Sequence, residues 1–204
     1  MGYVAKSSYK FIAFFAILFI VALLFDIAVI FFAVILVFVI YFFRDPEREP
    51  YTDDKLAILA PIDGRVKEIS TTKFEDKEFS KVVIEKSFFG VGSLRAPCDM
   101  NVSEIRQRHG LFLCNHMKIS NAMNERVLYV CQNDTNEFMI RIIAGALTRS
   151  IYIKNVQSLK ASRKFGFLSS GVVVMLLPKD TKICVSVGES VCSAGLLGYF
   201  NKRD

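Results

Sequence analysis

The chain has 204 residues, with 26 Lys and Arg against 20 Asp and Glu for a net charge of +6. That length admits one soluble domain plus a membrane segment. The small basic excess, without interleaved aromatic and basic residues, argues against nucleic acid as a partner. Two histidines, no HExxH and no CxxC pair argue against a metal centre.

From Phe11 to Phe43 the only charged residue is Asp26. One helix over this run would be about 50 Å long, against a hydrocarbon core of about 30 Å. Breaking it at Asp26 predicts a transmembrane helical hairpin with arms Phe11–Phe25 and Ile27–Phe43; the alternative is one long tilted span, which would bury Asp26. Lys6 and Lys10 precede the hairpin and Arg44 and Arg48 follow it, which puts both ends on the cytoplasmic side of the inner membrane. Asp26 at the tip escapes the cost of about 2.5–3.5 kcal/mol for a charge at mid-bilayer. Two regions follow: a hairpin over residues 1–45 and a β-rich domain over 46–204. The basic excess left after the hairpin suits an anionic lipid surface.

Beyond Pro50 the sequence predicts short strands at Leu56–Ala60, Lys81–Glu85, Val127–Cys131, Phe138–Ala144, Ser150–Val156, Val172–Leu177 and Ile183–Val187. These runs are rich in Val and Ile and are separated by Gly, Asp, Asn or Pro. One short helix is expected at Asn115–Glu125. The fold class is therefore mainly β, a single compact and mostly antiparallel domain behind the hairpin. The five cysteines, Cys98, Cys114, Cys131, Cys184 and Cys192, are expected to be free, buried thiols. Leu196–Phe200 reads as a packed C-terminal strand or a membrane-facing lip.

From Tyr41 onward a series of fragments, in order and at matching spacing, resembles the short bacterial and archaeal phosphatidylserine decarboxylases. These are Tyr41–Pro50, Leu59-Ala60-Pro61-Ile62-Asp63-Gly64-Arg65-Val66, Arg95-Ala96-Pro97, Asn124-Glu125-Arg126, Ile143-Ala144-Gly145 with Arg149, and Val187-Gly188-Glu189-Ser190-Val191. The resemblance implies a membrane-tethered enzyme of phosphatidylethanolamine synthesis acting on a phosphatidylserine-like lipid. It implies a zymogen in which a serine hydroxyl attacks the preceding carbonyl. The resulting ester eliminates, leaving a pyruvoyl cofactor at the new N-terminus. It further implies an Asp-His pair to activate that serine, twisted sheets around the cleavage segment with Val172–Leu177 as a core strand, and a dimer.

Asp63 stands at the family's Asp. At the family's His, within Ser87–Pro97, this chain has Gly92. The scissile Phe-Gly-Ser motif is altered as well. Aligning Phe165-Gly166 and Pro178 needs a gap of one residue and lays Ser170-Gly171 over Gly-Ser, in reversed order. Two readings follow. In one, cleavage falls between Ser169 and Ser170, Ser170 becomes the pyruvoyl group, and His109 or a water ordered by Asp63 replaces the base. In the other the chain is never cut and is a pseudoenzyme, a lipid-binding scaffold or the regulator of an active paralogue. Arg95 and Arg149, with Lys154, are the candidates to hold a phospholipid headgroup; their alternative is salt-bridging to nearby carboxylates.

Overall fold

The computed structural model describes residues 9–26, 28–74, 77–113, 119–133, 136–148, 151–153 and 156–201. The chain divides into two units, residues 1–47 and 48–204.

The first unit is a helical hairpin. Helix α1 (Tyr9–Phe25) and helix α2 (Val29–Phe42) are almost wholly apolar, and Phe11 stacks on Phe43 with ring centroids 6.0 Å apart, so the helices run back on one another. Asp26 and Ala28 take left-handed backbone conformations at the turn. At 17 and 14 residues the helices are about 26 and 21 Å long. No helix among the described residues is long and apolar enough to cross a membrane, so the expected span is not met at full bilayer thickness. Arg44 lies over the Tyr41 ring, 4.1 Å from its centroid.

The second unit is mainly β. Its largest sheet has eight antiparallel strands in the order β13-β2-β3-β11-β7-β6-β5-β9. In chain order these are β2 (Gly64–Phe74), β3 (Lys77–Lys86), β5 (Met100–Arg108), β6 (Arg126–Gln132), β7 (Glu137–Ala144), β9 (Ser158–Leu159), β11 (Gly171–Pro178) and β13 (Ser190–Val191). Two three-stranded sheets complete the unit. One orders β1 (Ala57–Leu59), β14 (Leu196–Tyr199) and β12 (Lys182–Ile183); the other orders β4 (Ser93–Arg95), β10 (Lys164–Phe167) and β8 (Tyr152–Ile153).

Strand β11 holds the centre. Its unbroken apolar run is what a strand buried on both faces requires. Val173, Met175 and Leu177 enter the main core with Ile58, Ile84, Ile140 and Phe165, while Val174 and Leu176 join Phe79, Met139 and Ile143 on the other face. Fully burying each of these side chains contributes about 1.5–3 kcal/mol.

Several expectations are corrected here. The helix expected at Asn115–Glu125 is a single turn, α3 (Ser120–Met123), with residues 114–118 outside the described set. The run Ile183–Val187 contributes only the end of β12, because the chain turns away to form a loop that bonds back to Val66. In Ser150–Val156 only Tyr152–Ile153 is strand among the described residues. Cys98 and Cys131 are buried, but Cys184 and Cys192 are exposed, and Cys114 lies outside the described residues. Burial pushes the Cys98 and Cys131 thiols up, Cys131 to about 12, so both stay protonated. Leu196–Phe200 is a packed strand, with Leu197 and Phe200 in the core.

Candidate active site

The site is built where the two ends of β11's neighbourhood meet. Phe165 and Phe167 alternate inward along β10, and Phe165 meets the Tyr129 ring edge to face at 5.1 Å. The chain then leaves β10 through Leu168, Ser169 and Ser170 before Gly171 opens β11. Ser169 and Ser170 are half-buried.

Their anchor is Thr148, which sequence reasoning missed. Gly145 follows β7 and starts a turn closed by the Thr148 amide donating to the Gly145 carbonyl at 3.0 Å. This turn delivers the Thr148 side chain, 1% exposed, to the serine pair. The Ser170 amide donates to Thr148 Oγ1 at 2.9 Å, and Thr148 Oγ1 lies 3.2 Å from Ser169 Oγ and donates closely to the Ser170 carbonyl. The Ser169 hydroxyl donates to the Leu147 carbonyl at 3.0 Å, and the Gly145 amide donates to the Ser170 carbonyl at 2.9 Å. Among the described residues no hydrogen bond engages the Ser170 hydroxyl. The one sequence signal for Thr148 is its place within Ile143–Arg149, on the turn after Gly145 and directly before Arg149.

Asp63 sits elsewhere in the network. It is nearly buried, and Arg48 grips its carboxylate through both guanidinium nitrogens, with Nη2 3.0 Å from Oδ2. The Val91 amide donates to Oδ2 at 2.9 Å and the Ser193 amide to Oδ1 at 2.8 Å. Burial alone would raise its pKa. The bonds from Arg48, Ser193 and Val91 outweigh that and hold the carboxyl below its ordinary value. All the described bonds of Asp63 go to Arg48, Ser193 and Val91. Arg48 Nη1 also donates to Ser193 Oγ at 2.8 Å.

The route from Asp63 to the serines runs through the backbone. Next to Val91, Gly92 accepts a bond from the Leu168 amide at 2.8 Å. A Cβ built on Gly92 would stand 2.6 Å from the Leu168 carbonyl oxygen and 2.8 Å from the Phe167 ring. The position that the resemblance aligns with the family's His thus abuts residues 167–168, and the Phe167 ring and Leu168 backbone fill its side-chain space.

His109 is 3.7 Å from the buried Glu125 carboxylate and its side chain is 88% exposed. No described hydrogen bond links it to Ser169 or Ser170. Arg95 is 1% exposed, and its Nη1 donates to the carbonyls of Ser162 at 2.8 Å and Arg48 at 3.4 Å. It ties the strap around residue 48 to the loop before β10 rather than facing solvent. Arg149 and Lys154 lie outside the described residues. Asn124 is also structural: its side-chain amide bonds the Leu113 amide and carbonyl and the Ala144 carbonyl, fastening the 111–113 loop beside β7.

Comparisons with known proteins place the chain in a family. The phosphatidylserine decarboxylase family model matches residues 35–199. Phosphatidylserine decarboxylase proenzymes of Burkholderia mallei (strain SAVP1) and Burkholderia pseudomallei (strain 1106a) are 33% identical over 202 residues, covering 95% of this chain and 93% of theirs. That of Burkholderia ambifaria (strain MC40-6) is 31% identical, covering 95% and 94%. No solved structure matches. With a family model spanning most of its length and proenzyme relatives matched almost end to end, the chain belongs to the phosphatidylserine decarboxylase family.

Proposed function

We propose that the chain is a self-processing phosphatidylserine decarboxylase cut between Ser169 and Ser170. The observation that carries this reading is the junction itself: a Ser170 hydroxyl with no hydrogen bond among the described residues, beside an amide whose nitrogen is already bonded to a side-chain hydroxyl. Ser170 Oγ attacks the Ser169 carbonyl carbon and loses its proton as the Ser169–Ser170 amide bond breaks. The freed nitrogen takes a proton, and an ester joins the two residues. Removal of the Ser170 α-proton then expels Ser169 as a free carboxylate, and hydrolysis by water releases ammonia. The residues fit the pyruvoyl group so formed, since Ser170 is half-exposed and follows a buried Leu168 that fixes the segment. The group's chemistry is electron withdrawal from the substrate's α-carbon, letting carbon dioxide leave.

The chain's own residues supply the rest. Asp63, held ionised by Arg48, fixes the Val91–Gly92 backbone against Leu168. Arg149, which follows Thr148 in sequence, is assigned to the lipid phosphate; the buried Arg95 is not.

The lipid reading extends to location. The hairpin presents many exposed apolar side chains, among them Phe14, Ile17, Leu24, Ile30 and Val34, and water is a poor solvent for such a surface. We assign it to a membrane, inserted as a hairpin in a locally thinned bilayer with Asp26 at the tip and the β unit on the cytoplasmic face. Beside the Asp63 network, Phe88 (51% exposed) and Phe89 (58% exposed) stack edge to face on a loop that the Lys86 ammonium cinches through the Ser87 and Gly90 carbonyls. An exposed aromatic pair beside the site suits an approach to lipid.

A second reading has a specific observation in its favour: the filled space at Gly92 leaves no base at the family's position, as in an uncut lipid-binding scaffold. One experiment separates the two. Full-length protein in phosphatidylserine vesicles is expected to release phosphatidylethanolamine and carbon dioxide, and Ser170→Ala is expected to be uncut and inactive. Normal processing in Ser170→Ala would overturn the assignment of the nucleophile.

A further inference from the structure

We infer that Thr148 is the proton relay at the leaving nitrogen of self-cleavage, a role that lets processing proceed without a histidine at residue 92. The inference rests on the cleavage reading above and adds a residue to it.

The argument begins with what the bond change demands. While the amide is intact, the Ser170 nitrogen is conjugated and donates its one proton, here to Thr148 Oγ1 at 2.9 Å. Once Ser170 Oγ has added to the Ser169 carbonyl, conjugation is lost and the nitrogen becomes a basic amine. It must gain a proton before it can leave, or the intermediate collapses back to the amide. The protein atom bonded to that nitrogen is Thr148 Oγ1.

Thr148 is equipped for the exchange. A hydroxyl has one proton to give and two lone pairs to accept with. Its proton has two acceptors in reach, the Ser170 carbonyl and Ser169 Oγ, so it is not committed to one site. Ser169 in turn donates to the Leu147 carbonyl, forming a chain of hydroxyls that ends at the half-exposed junction. In the relay Thr148 passes its proton to the Ser170 nitrogen as the carbon–nitrogen bond breaks. The proton shed by Ser170 Oγ, carried through Ser169 or solvent water, restores Thr148. One bond forms, one breaks, and the N-to-O shift is neutral overall with no oxidant or added reagent.

Burial supports the same role. Thr148 is 1% exposed and fixed by its own turn, so its oxygen is positioned before reaction rather than recruited during it. Asp63, by contrast, is consumed by Arg48 and two amides.

The test follows maturation, not decarboxylation. Full-length wild type, Thr148→Val and Thr148→Ser are synthesised in the presence of lipid nanodiscs, and conversion of the intact chain is followed by mass over time. Wild type is expected to cut, Thr148→Val to cut about 10²–10⁴-fold more slowly, and Thr148→Ser to recover to within about tenfold. Thr148→Val cutting at the wild-type rate would overturn the relay while leaving the cleavage reading intact. A wild type that never cuts would overturn cleavage itself, and the relay with it. If Thr148→Val loses its native circular dichroism, Thr148→Ser decides: a folded but uncut serine variant overturns the relay.

Discussion

The Arg48 guanidinium holds both oxygens of the Asp63 carboxylate, joining the strap that enters the β unit to the loop before β2. Ser193 Oγ and the Ser193 carbonyl take further bonds from the same guanidinium, at 2.8 and 3.3 Å. Removing Arg48 leaves a nearly buried carboxylate with only amide partners. Arg48→Ala is expected to destabilise the β unit by about 2–3 kcal/mol, between the small loss for an exposed pair and the larger one for a fully buried pair. Denaturant melts followed by circular dichroism check this; a loss under about 0.5 kcal/mol would mean that water replaces the guanidinium freely.

Acid should act on the same carboxylate. Its folded pKa lies below the ordinary 3.8, so its stabilising contribution is complete above that value. The contribution is lost as the pH falls below 3.8 and through the lower folded pKa. Between pH 5 and pH 3 the melting temperature of wild type is expected to fall more than that of Asp63→Asn, which carries no titrating group there. Equal falls in the two proteins would refute the linkage.

Restoring the family's histidine is expected to fail. Although Gly92→His replaces the missing residue type, its Cβ meets the Leu168 carbonyl oxygen at 2.6 Å, a backbone atom that cannot swing aside. Gly92→Ala already makes this contact and is expected to cost about 1–3 kcal/mol. Neither variant should mature faster than wild type, and faster maturation of Gly92→His would show that the segment yields.

Reversing the Ser-Gly order is expected to be worse. Gly171 has φ +148°, and a Cβ there would lie 2.2 Å from the Ile143 carbonyl oxygen. Gly171→Ser should lose at least about 2–3 kcal/mol through strain and collision combined. Soluble, normally folded Gly171→Ser would contradict the strain and collision argued for residue 171.

The central β framework was legible because its strands are buried on both faces. Phe138–Ala144 and Val172–Leu177 are apolar runs that match β7 and β11 to within a residue at each end. Strands β2 and β5 were not legible, since beyond their first residues they are largely exposed and carry Lys, Glu, Arg, Ser and Thr; backbone pairing to β3 and β6 makes them strands. At the site, Asp63 and the serine pair stood out by resemblance, but their partners did not. Arg48 reads as a flanking charge and Thr148 draws no reading at all, because a hydrogen bond spanning 22 positions leaves no mark in local pattern. Arg95 misled for the opposite reason. Its charge suggested a headgroup, whereas the side chain is 1% exposed and its Nη1 donates to the Ser162 and Arg48 carbonyls.

The most direct measurement is the intact mass of the full chain purified in detergent. Cleavage between Ser169 and Ser170 is expected to replace the 23.1 kDa species with two chains, the smaller comprising residues 170–204 at about 4 kDa and blocked to N-terminal sequencing. A single unprocessed species of 23.1 kDa, stable on prolonged incubation with phosphatidylserine vesicles, would contradict self-processing and leave the uncut scaffold as the function of this fold.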